Sequence, residues 1–297
     1  MNLPRRTFIE HSLLCMGGLL TTAQANDPKQ KPVLQIGLLT DLHHADKAPG
    51  GSRIYRETVP KLEEAVQFFN QAAPGFVVCL GDLIDKATSI ETEIEWLKHI
   101  ESVFAKTKSL RHYVLGNHCV ATLTKEEFRT HTAASKNSYY SFDSGAFHFV
   151  VLDACFTSDG TPYGRDNFDW RDSNLPQAQL EWLRADLAAS SKPTVVFAHQ
   201  RLDNADKHSV RNAAAVREIL EHSSQVLAVF QGHSHRNDYQ QIGGIHYCTL
   251  VAMIEGSGPE NSGYALLEVM EDRSLRLRGF RRQTPHEWPA RSSARAE

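Results

Sequence analysis

Long apolar runs alternate with amphipathic segments along most of the chain. The runs are almost entirely apolar, which is typical of strands buried on both faces of a parallel sheet. These predicted strands comprise 33–40, 76–80, 111–115, 193–198 and 226–230. The segments between them carry apolar residues at helical spacing, as Leu62, Val66 and Phe69 do in a helix that Thr58 is expected to cap. Further helices are predicted around Ile94–Phe104 and over 176–190 and 210–222.

The remaining strands are predicted outside this regular alternation. A hairpin is expected over 137–153 around Asp143-Ser144-Gly145, and three more strands over 244–250, 263–269 and 274–280. Parallel strands connected by helices, together with such antiparallel strands, predict an α/β fold. In this fold two mixed sheets pack face to face and the helices cover their outer faces.

The composition is compatible with one large domain. The chain has 297 residues, of which 41% are hydrophobic, and we place the domain at 33–283. The last residues, 284–297, are polar and are expected to form a loose tail. The formal net charge is −3 and there is no long basic run, so nothing indicates a nucleic-acid polymer or a membrane surface as partner.

Residues 1–25 resemble a twin-arginine export signal. Arg5-Arg6 precede a short apolar run that ends in Ala23-Gln24-Ala25, which is similar to a signal-peptidase site. The run is too short and too rich in Gly and Thr to be a permanent membrane anchor. We therefore expect an exported protein, periplasmic or secreted, that uses the twin-arginine export machinery and has a linker at 26–32. An ordinary N-terminal helix is the alternative.

Four cysteines follow the predicted signal, and each lies in or beside an apolar run. They are Cys79, Cys119, Cys155 and Cys248. Their surroundings favour buried free thiols. Exported proteins can also form disulfides, so a bridge between Cys119 and Cys155 stays open as an alternative.

Five predicted strands are followed by Asp, Asn or His. In chain order these segments are Asp41-Leu42-His43, Gly81-Asp82 with Asp85, Gly116-Asn117-His118, His199, and Gly232-His233-Ser234-His235. Ligands bind at the carboxyl ends of strands in α/β sheets, and residues two apart in an extended chain share a face. Each motif alone is as compatible with a turn or a core histidine. Their succession predicts a site for two divalent cations, and the N/O ligands suit Mn, Fe, Zn or Co.

This succession resembles the signature of the calcineurin-like metallophosphoesterases, from about Val33 to Phe280. The resemblance implies a four-layer αββα sandwich and a dinuclear-metal-dependent phosphoesterase. Hydrolysis of a phosphoester or phosphoanhydride would proceed by attack of a metal-bridging hydroxide. The implied roles are Asp41, His43 and His235 at the first ion, Asn117, His199 and His233 at the second, Asp82 as the bridge, His118 as the catalytic histidine and Asp85 behind it. The family usually has Asp or Glu where this chain has Cys119.

Within that family the chain most resembles the manganese-dependent ADP-ribose/CDP-alcohol diphosphatases. The similar stretches are "RIYRETV", "YYSF", "FVVLDA", "LEWL" and "GIHY". The likeness implies a small phosphorylated substrate, such as one linked to a nucleoside diphosphate, near Arg53, Tyr55 and Arg56. A loop with solvated charges before a helix is the alternative for these three residues.

Two other functions are compatible with parts of the pattern. A phosphomonoesterase or a cyclic nucleotide phosphodiesterase would use the same ligands, because loops such as 157–174 build the substrate pocket. In that loop Tyr163, Arg165, Phe168 and Trp170 could stack on a base and hold a phosphate, or simply order the surface. A non-catalytic scaffold on this fold is disfavoured, since all eight ligand and catalytic positions are present.

Overall fold

The structure is a computed structural model that describes residues 31–290. The predicted signal at 1–25, most of the linker and the end of the tail lie outside the described residues. Within this range the strands are β1 (Leu34–Leu39), β2 (Phe76–Cys79), β3 (Leu110–Tyr113), β4 (Tyr140–Ser144), β5 (Phe147–Val151), β6 (Thr194–Phe197), β7 (Val226–Gln231), β8 (Asp238–Ile242), β9 (Ile245–Thr249), β10 (Gly263–Val269), β11 (Leu275–Arg281) and β12 (His286–Trp288). The α-helices are α1 (Thr58–Ala72), α2 (Ile90–Phe104), α3 (Lys125–Thr130), α4 (Gln177–Ala189) and α5 (Ala213–His222).

The strands form two mixed sheets of six strands each. The first sheet has the order β12-β11-β10-β1-β2-β3, and the second has the order β4-β5-β6-β7-β9-β8. In the first sheet β1, β2 and β3 are parallel, and β10 joins β1 antiparallel. In the second sheet β5, β6, β7 and β9 are parallel, and the edge strands β4 and β8 are antiparallel. Both sheets therefore have a run of parallel strands whose carboxyl ends lie at one edge.

Alternate side chains of each strand enter different hydrophobic cores. Leu38 and Val78 of the first sheet share a core with Phe149 and Phe197 of the second, so the two sheets pack face to face. On its other face the first sheet packs against α1 and α2, where Leu39 contributes to a second core. The second sheet packs in the same way against α4 and α5. This arrangement of helix, sheet, sheet and helix confirms the predicted α/β sandwich.

Several local predictions need correction. The tail is not loose from residue 284, because β12 pairs with β11 and Trp288 is buried between the sheets. Thr58 is the first residue of α1 and not its cap, since a 3-10 turn at Tyr55–Glu57 precedes it. Neither α3 nor β8 was predicted, because both are short and mostly polar.

The four cysteines after the predicted signal are buried free thiols. Burial raises the pKa of Cys119 to about 12, so its thiol stays protonated at neutral pH. The Sγ of Cys155 donates to the carbonyl of Leu115 at 3.5 Å.

In the part of the chain that the structure describes, no helix has both the length and the apolar character that a bilayer span requires.

Candidate metal centre

The predicted ligands converge from both sheets. Asp41 and His43 follow β1, and Asp82 follows β2, whereas His199 and the pair His233 and His235 follow β6 and β7 of the second sheet. The Nε2 atoms of His43 and His199 lie 3.4 and 3.1 Å from the same oxygen, Oδ2 of Asp82. The Nε2 atom of His235 lies 3.4 Å from Oδ1 of Asp41. Residues up to 194 positions apart in the chain thus share one site.

Two groups of ligand atoms are compact enough to hold a cation each. One consists of Asp41, His43 and His235, and the other of Asp82, His199 and His233, with all ligand atoms of a group within 4.8 Å of one another. Asp82 also forms a group with His43 and His118, so its carboxylate lies between the two positions. This is the geometry that a bridging carboxylate requires. The grouping matches the division between two ions that the family resemblance implies.

Unpaired acceptor atoms show that these residues fit cations. Oδ1 of Asp41, Oδ1 of Asn117 and Nε2 of His233 are buried and have no hydrogen-bond partner. A buried polar atom without a partner costs about 1–3 kcal/mol, so such a concentration at one place needs an explanation. Divalent ions that accept these lone pairs would be the missing partners and would explain the concentration of unpaired atoms. The donor set contains nitrogen and oxygen but no thiolate, which suits Mn, Fe, Zn or Co.

The electrostatics of the centre also favour cations. Burial alone would raise the pKa of Asp82, but the neighbouring His199 and His43 hold it below its usual range. Conversely, burial would lower the pKa of His199, but Asp82 and Asp41 raise it to about 9. The pKa of His235 is likewise raised to about 9, against the effect of burial, by Asp41 and Glu255. Two buried carboxylates therefore require positive charge beside them, from protonated imidazoles or from metal ions.

The backbone at this site has an unusual conformation. Five predicted ligands have positive φ angles, and they are Asp41, His43, Asp82, His233 and His235, with values between 46° and 69°. Non-glycine residues rarely adopt this region, and such strain concentrates at functional sites. The adjacent glycines give the turns room: a Cβ on Gly116 would lie 2.2 Å from Oδ1 of Asp82. The strand ends thus turn sharply and aim their side chains into one volume.

His118 is oriented by Asp85. Its Nδ1 lies 2.5 Å from Oδ1 of Asp85, and its backbone N–H donates to Oδ1 of Asp82 at 2.8 Å. With Nδ1 engaged, Nε2 remains available to a substrate. Cys119 does not replace a carboxylate here, because it is buried in the core and its Sγ accepts the Leu83 N–H at 3.4 Å. The carboxylate behind His118 comes instead from Asp85.

The three residues expected near the substrate lie in different surroundings. The backbone of Arg53 forms an isolated antiparallel β-bridge with that of Glu255, beside the centre. Tyr55 is buried, and its ring packs under the ammonium group of Lys47. Arg56 is exposed and pairs with Asp46 at 2.5 Å. The positive charge of Arg53 acts on His235, a predicted ligand, and lowers its pKa slightly against the larger effects that raise it.

Loop 157–174 contributes two aromatic rings to the surroundings of the centre. The ring of Phe168 lies 6.0 Å from that of His118, and the ring of Trp170 lies 6.0 Å from that of His233. By contrast, Tyr163 is buried and donates to the carbonyl of Asp169, while Arg165 pairs with Glu127. Phe168 and Trp170 therefore border the site, whereas the contacts of the other two side chains order the loop.

Sequence reasoning missed Glu255. Its carboxylate accepts from Nδ1 of His235 at 2.6 Å, the arrangement that orients a metal-binding histidine in many proteins. The loop that carries Glu255 is held by the buried Lys61, whose Nζ donates to the carbonyls of Met253, Glu255 and Gly256 at 2.6–3.0 Å. The only signal in the sequence is a single acidic residue after an apolar run, which is too common to be informative.

Known proteins of similar sequence and structure carry this architecture. A protein from Arabidopsis thaliana, a manganese-dependent ADP-ribose/CDP-alcohol diphosphatase, is 23% identical over 291 residues, or 82% of this chain and 93% of that protein. The crystal structure of a dimetal phosphatase from Danio rerio is 22% identical and has a TM-score of 0.77, covering 88% of this chain and 100% of that one. GAP50, the anchor in the inner membrane complex of Plasmodium, is 13% identical with a TM-score of 0.60, over 88% and 90% of the two chains. The structural similarities show a shared fold.

Fold and site together define a dinuclear metallohydrolase that acts on phosphoric esters. The sequence profile of the calcineurin-like phosphoesterases matches residues 34–237, more than half of the chain. The chain therefore belongs to the calcineurin-like phosphoesterase family. It is a metal-dependent phosphoric ester hydrolase with two divalent ions as cofactors.

Proposed function

We propose that this enzyme is a diphosphatase, which cleaves the phosphoanhydride bond of small substrates linked to a nucleoside diphosphate. The observation that carries the proposal is the likeness, over 82% of this chain, to a manganese-dependent ADP-ribose/CDP-alcohol diphosphatase. The aromatic border of the site adds support. Trp170 has the ammonium of Lys207 5.7 Å and the guanidinium of Arg171 5.8 Å from its ring centre. An aromatic face beside cations suits a nucleobase with phosphates, and base stacking contributes about 1–3 kcal/mol.

The proposed roles divide the ligands between two ions. Asp41, His43 and His235 would hold one ion, Asn117, His199 and His233 would hold the other, and the two ions would share Asp82. When bound, such a pair supplies a water of lowered pKa and stabilises negative charge on the phosphoryl oxygens. The proposal draws on the two compact ligand groups and on the unpaired acceptors described above. We propose manganese as the metal because the Arabidopsis protein depends on it.

His118 is proposed to act as the general acid. As the bond from phosphorus to the leaving oxygen breaks, the electron pair stays on that oxygen and takes a proton from Nε2 of His118. Nδ1, which lies 2.5 Å from Oδ1 of Asp85, keeps its own proton. The fixed Nδ1 contact gives the imidazole the tautomer and orientation that this transfer needs. Acid catalysis of this kind is worth roughly 10²–10⁴ in rate.

A substrate panel tests the diphosphatase proposal. The manganese-loaded protein is assayed with ADP-ribose, CDP-alcohols, cyclic nucleotides and phosphomonoesters, and products are identified by ³¹P NMR. We expect the highest kcat/KM for the first two classes, with each diphosphate converted into two phosphomonoesters. A preference for cyclic nucleotides or for monoesters would replace this proposal with one of those two activities.

We also propose that the protein is exported by the twin-arginine route, on the basis of the Arg5-Arg6 pair and the Ala23-Gln24-Ala25 site alone. Fractionation of cells that produce the full chain should recover a product without residues 1–25 outside the cytoplasm. Replacement of both arginines by Lys should leave the full-length chain in the cytoplasm. Equal export of that variant would exclude the route.

A further inference from the structure

A lysine outside every predicted motif contacts the far side of Asp85. Nζ of Lys47 lies 2.7 Å from Oδ2 of Asp85, whereas Oδ1 of the same carboxylate faces Nδ1 of His118 at 2.5 Å. Oδ1 also accepts from the backbone N–H of Lys86 at 2.9 Å, whereas Oδ2 accepts from Lys47. The three side chains thus form a continuous line of short polar contacts from the rim of the site to the imidazole, in which Lys47 donates to Asp85.

Lys47 is itself held in place on its other side. Its ammonium lies 4.2 Å from the ring centre of Tyr55, which is buried with Ala45, Ala252 and Ile254. A cation over an aromatic face is attracted by the ring, so this contact favours the observed placement of the Lys47 side chain. The side chain of Lys47 is 36% exposed and that of Asp85 only 4%, so the contact reaches into the protein from its surface. This packing accounts for the burial of Tyr55.

Asp85 has a competing neighbour. Nδ1 of His43 lies 3.8 Å from Oδ1 of Asp85 and is buried without a hydrogen-bond partner. With Oδ2 released, the carboxylate is held only at Oδ1, by the N–H of Lys86, and can turn about that contact toward Nδ1 of His43. The contact with Lys47 fixes the rotation of the carboxylate and so favours His118.

We propose that Lys47 is a positioning residue for the acid step: through Asp85 it holds the imidazole of His118 toward the leaving oxygen. The inference rests on the proposed role of His118 as general acid. Lys47 touches neither the metal ligands nor, on this view, the substrate. Replacement of Lys47 should therefore lower the rate more for substrates whose leaving group is more basic, since a basic leaving oxygen depends more on protonation.

A series of aryl phosphodiesters tests this dependence, from 4-nitrophenyl, which leaves readily as an anion, to unsubstituted phenyl. We expect Lys47→Met to lower kcat about tenfold for the phenyl ester and about twofold for the nitrophenyl ester, a fraction of the full acid contribution. Lys47→Arg keeps the charge and should retain most of the activity. Metal content should be unchanged in both variants.

Lys192→Met is the matched control. Lys192 is 37% exposed and its Nζ lies 2.7 Å from Oδ2 of Asp143, on a different part of the surface. This variant loses the same type of ion pair and should show the wild-type rates with both esters.

A second readout does not depend on turnover. The Nδ1 proton of His118 in its short contact with Asp85 should give a low-field proton NMR signal in the metal-free protein, identified by its absence in His118→Ala. The signal should persist in Lys47→Arg and Lys192→Met, and should shift upfield or vanish in Lys47→Met.

Three results would overturn the inference: equal rate losses for both esters, a rise in KM alone, or an unchanged NMR signal in Lys47→Met. The variant His118→Ala separates this failure from that of the proposed function. If its rate loss does not grow with the basicity of the leaving group, the acid role of His118 is wrong. If the rate loss of His118→Ala grows with the basicity of the leaving group but that of Lys47→Met does not, the acid role of His118 stands and only the role of Lys47 is wrong.

Discussion

Two clusters of histidine and aspartate in this molecule use the same side chains and differ in what remains unpaired. In the cluster on β4, β5 and α4, here called the His148 cluster, Nδ1 of His148 contacts Asp143 at 2.7 Å and Nε2 contacts Asp186 at 2.9 Å. Both ring nitrogens are satisfied, and Ser141 donates to the second oxygen of Asp186. At the metal centre, by contrast, buried acceptors on Asp41 and His233 have no hydrogen bond.

The backbone conformation also differs between the two clusters. His148 lies within a regular strand, whereas five ligands of the metal centre have positive φ angles. Strain and unpaired acceptors occur together at one place, and neither occurs in the His148 cluster. A concentration of histidine and carboxylate side chains is therefore not by itself a metal site. Buried lone pairs aimed at a common volume distinguish a centre that binds cations from a cluster that stabilises the fold.

The largest effect should come from Asp82→Asn. Both ion positions share this carboxylate, so we expect both metals to be lost or misplaced and the rate to fall on the order of 10³-fold or more. Metal analysis and hydrolysis of bis(4-nitrophenyl) phosphate measure the two losses. Asp186→Asn in the His148 cluster serves as control and should keep its metals. Full activity of Asp82→Asn would exclude a bridging role.

On its proposed role as general acid, replacing His118 by Ala should lower kcat by roughly 10²–10⁴ while the metal content is kept, because that role requires a proton but no bond to an ion. His118 also lies within ligand distance of His43 and Asp82, so metal binding is the alternative. Parallel loss of metal and activity would make His118 a ligand.

Glu255→Gln should weaken metal binding about 10–100-fold, since the neutral amide no longer polarises and orients His235 as the carboxylate does. Titration of the metal-free protein with Mn²⁺ by calorimetry measures the affinity. Glu57→Gln is the control, because Glu57 contacts Ser257 and Gly258 in the same loop but does not touch His235. Similar affinities in wild type and Glu255→Gln would show that His235 does not need this partner.

The smallest effect concerns the His148 cluster and stability alone. Burial lowers the pKa of His148, but hydrogen bonds to Asp186 and Asp143 outweigh it and raise the pKa above the ordinary value of 6.5. A raised pKa means that protonated His148 stabilises the fold below about pH 6.5, and that this contribution disappears as the pH rises through the folded-state value.

We therefore expect His148→Gln to lower the free energy of unfolding by about 1 kcal/mol in acid, with a smaller difference in alkaline solution. Urea unfolding of both proteins between about pH 5 and 9 measures it. A difference that grows with pH would contradict the sign of this pKa shift.

Local patterns were sufficient for the main architecture. Apolar runs such as 76–80 and 226–230 identify buried strands, because a strand covered on both faces admits few polar residues. β12 was missed because its three residues are not apolar as a group, and only the burial of Trp288 between the sheets reveals its role. Short edge strands depend on tertiary contacts that a local pattern does not contain.

The sequence by itself determined which residue types follow each strand, and therefore which ligands can meet at the shared edge of the two sheets. The tertiary structure decided which partners these side chains have: Asp85 with His118 and Lys47, Glu255 with His235, and Lys61 with the loop that carries Glu255. The physical reason is the range of the interactions. A strand and the turn after it are encoded by neighbouring residues, whereas a hydrogen bond between side chains far apart in sequence exists only once two packed layers have fixed both ends.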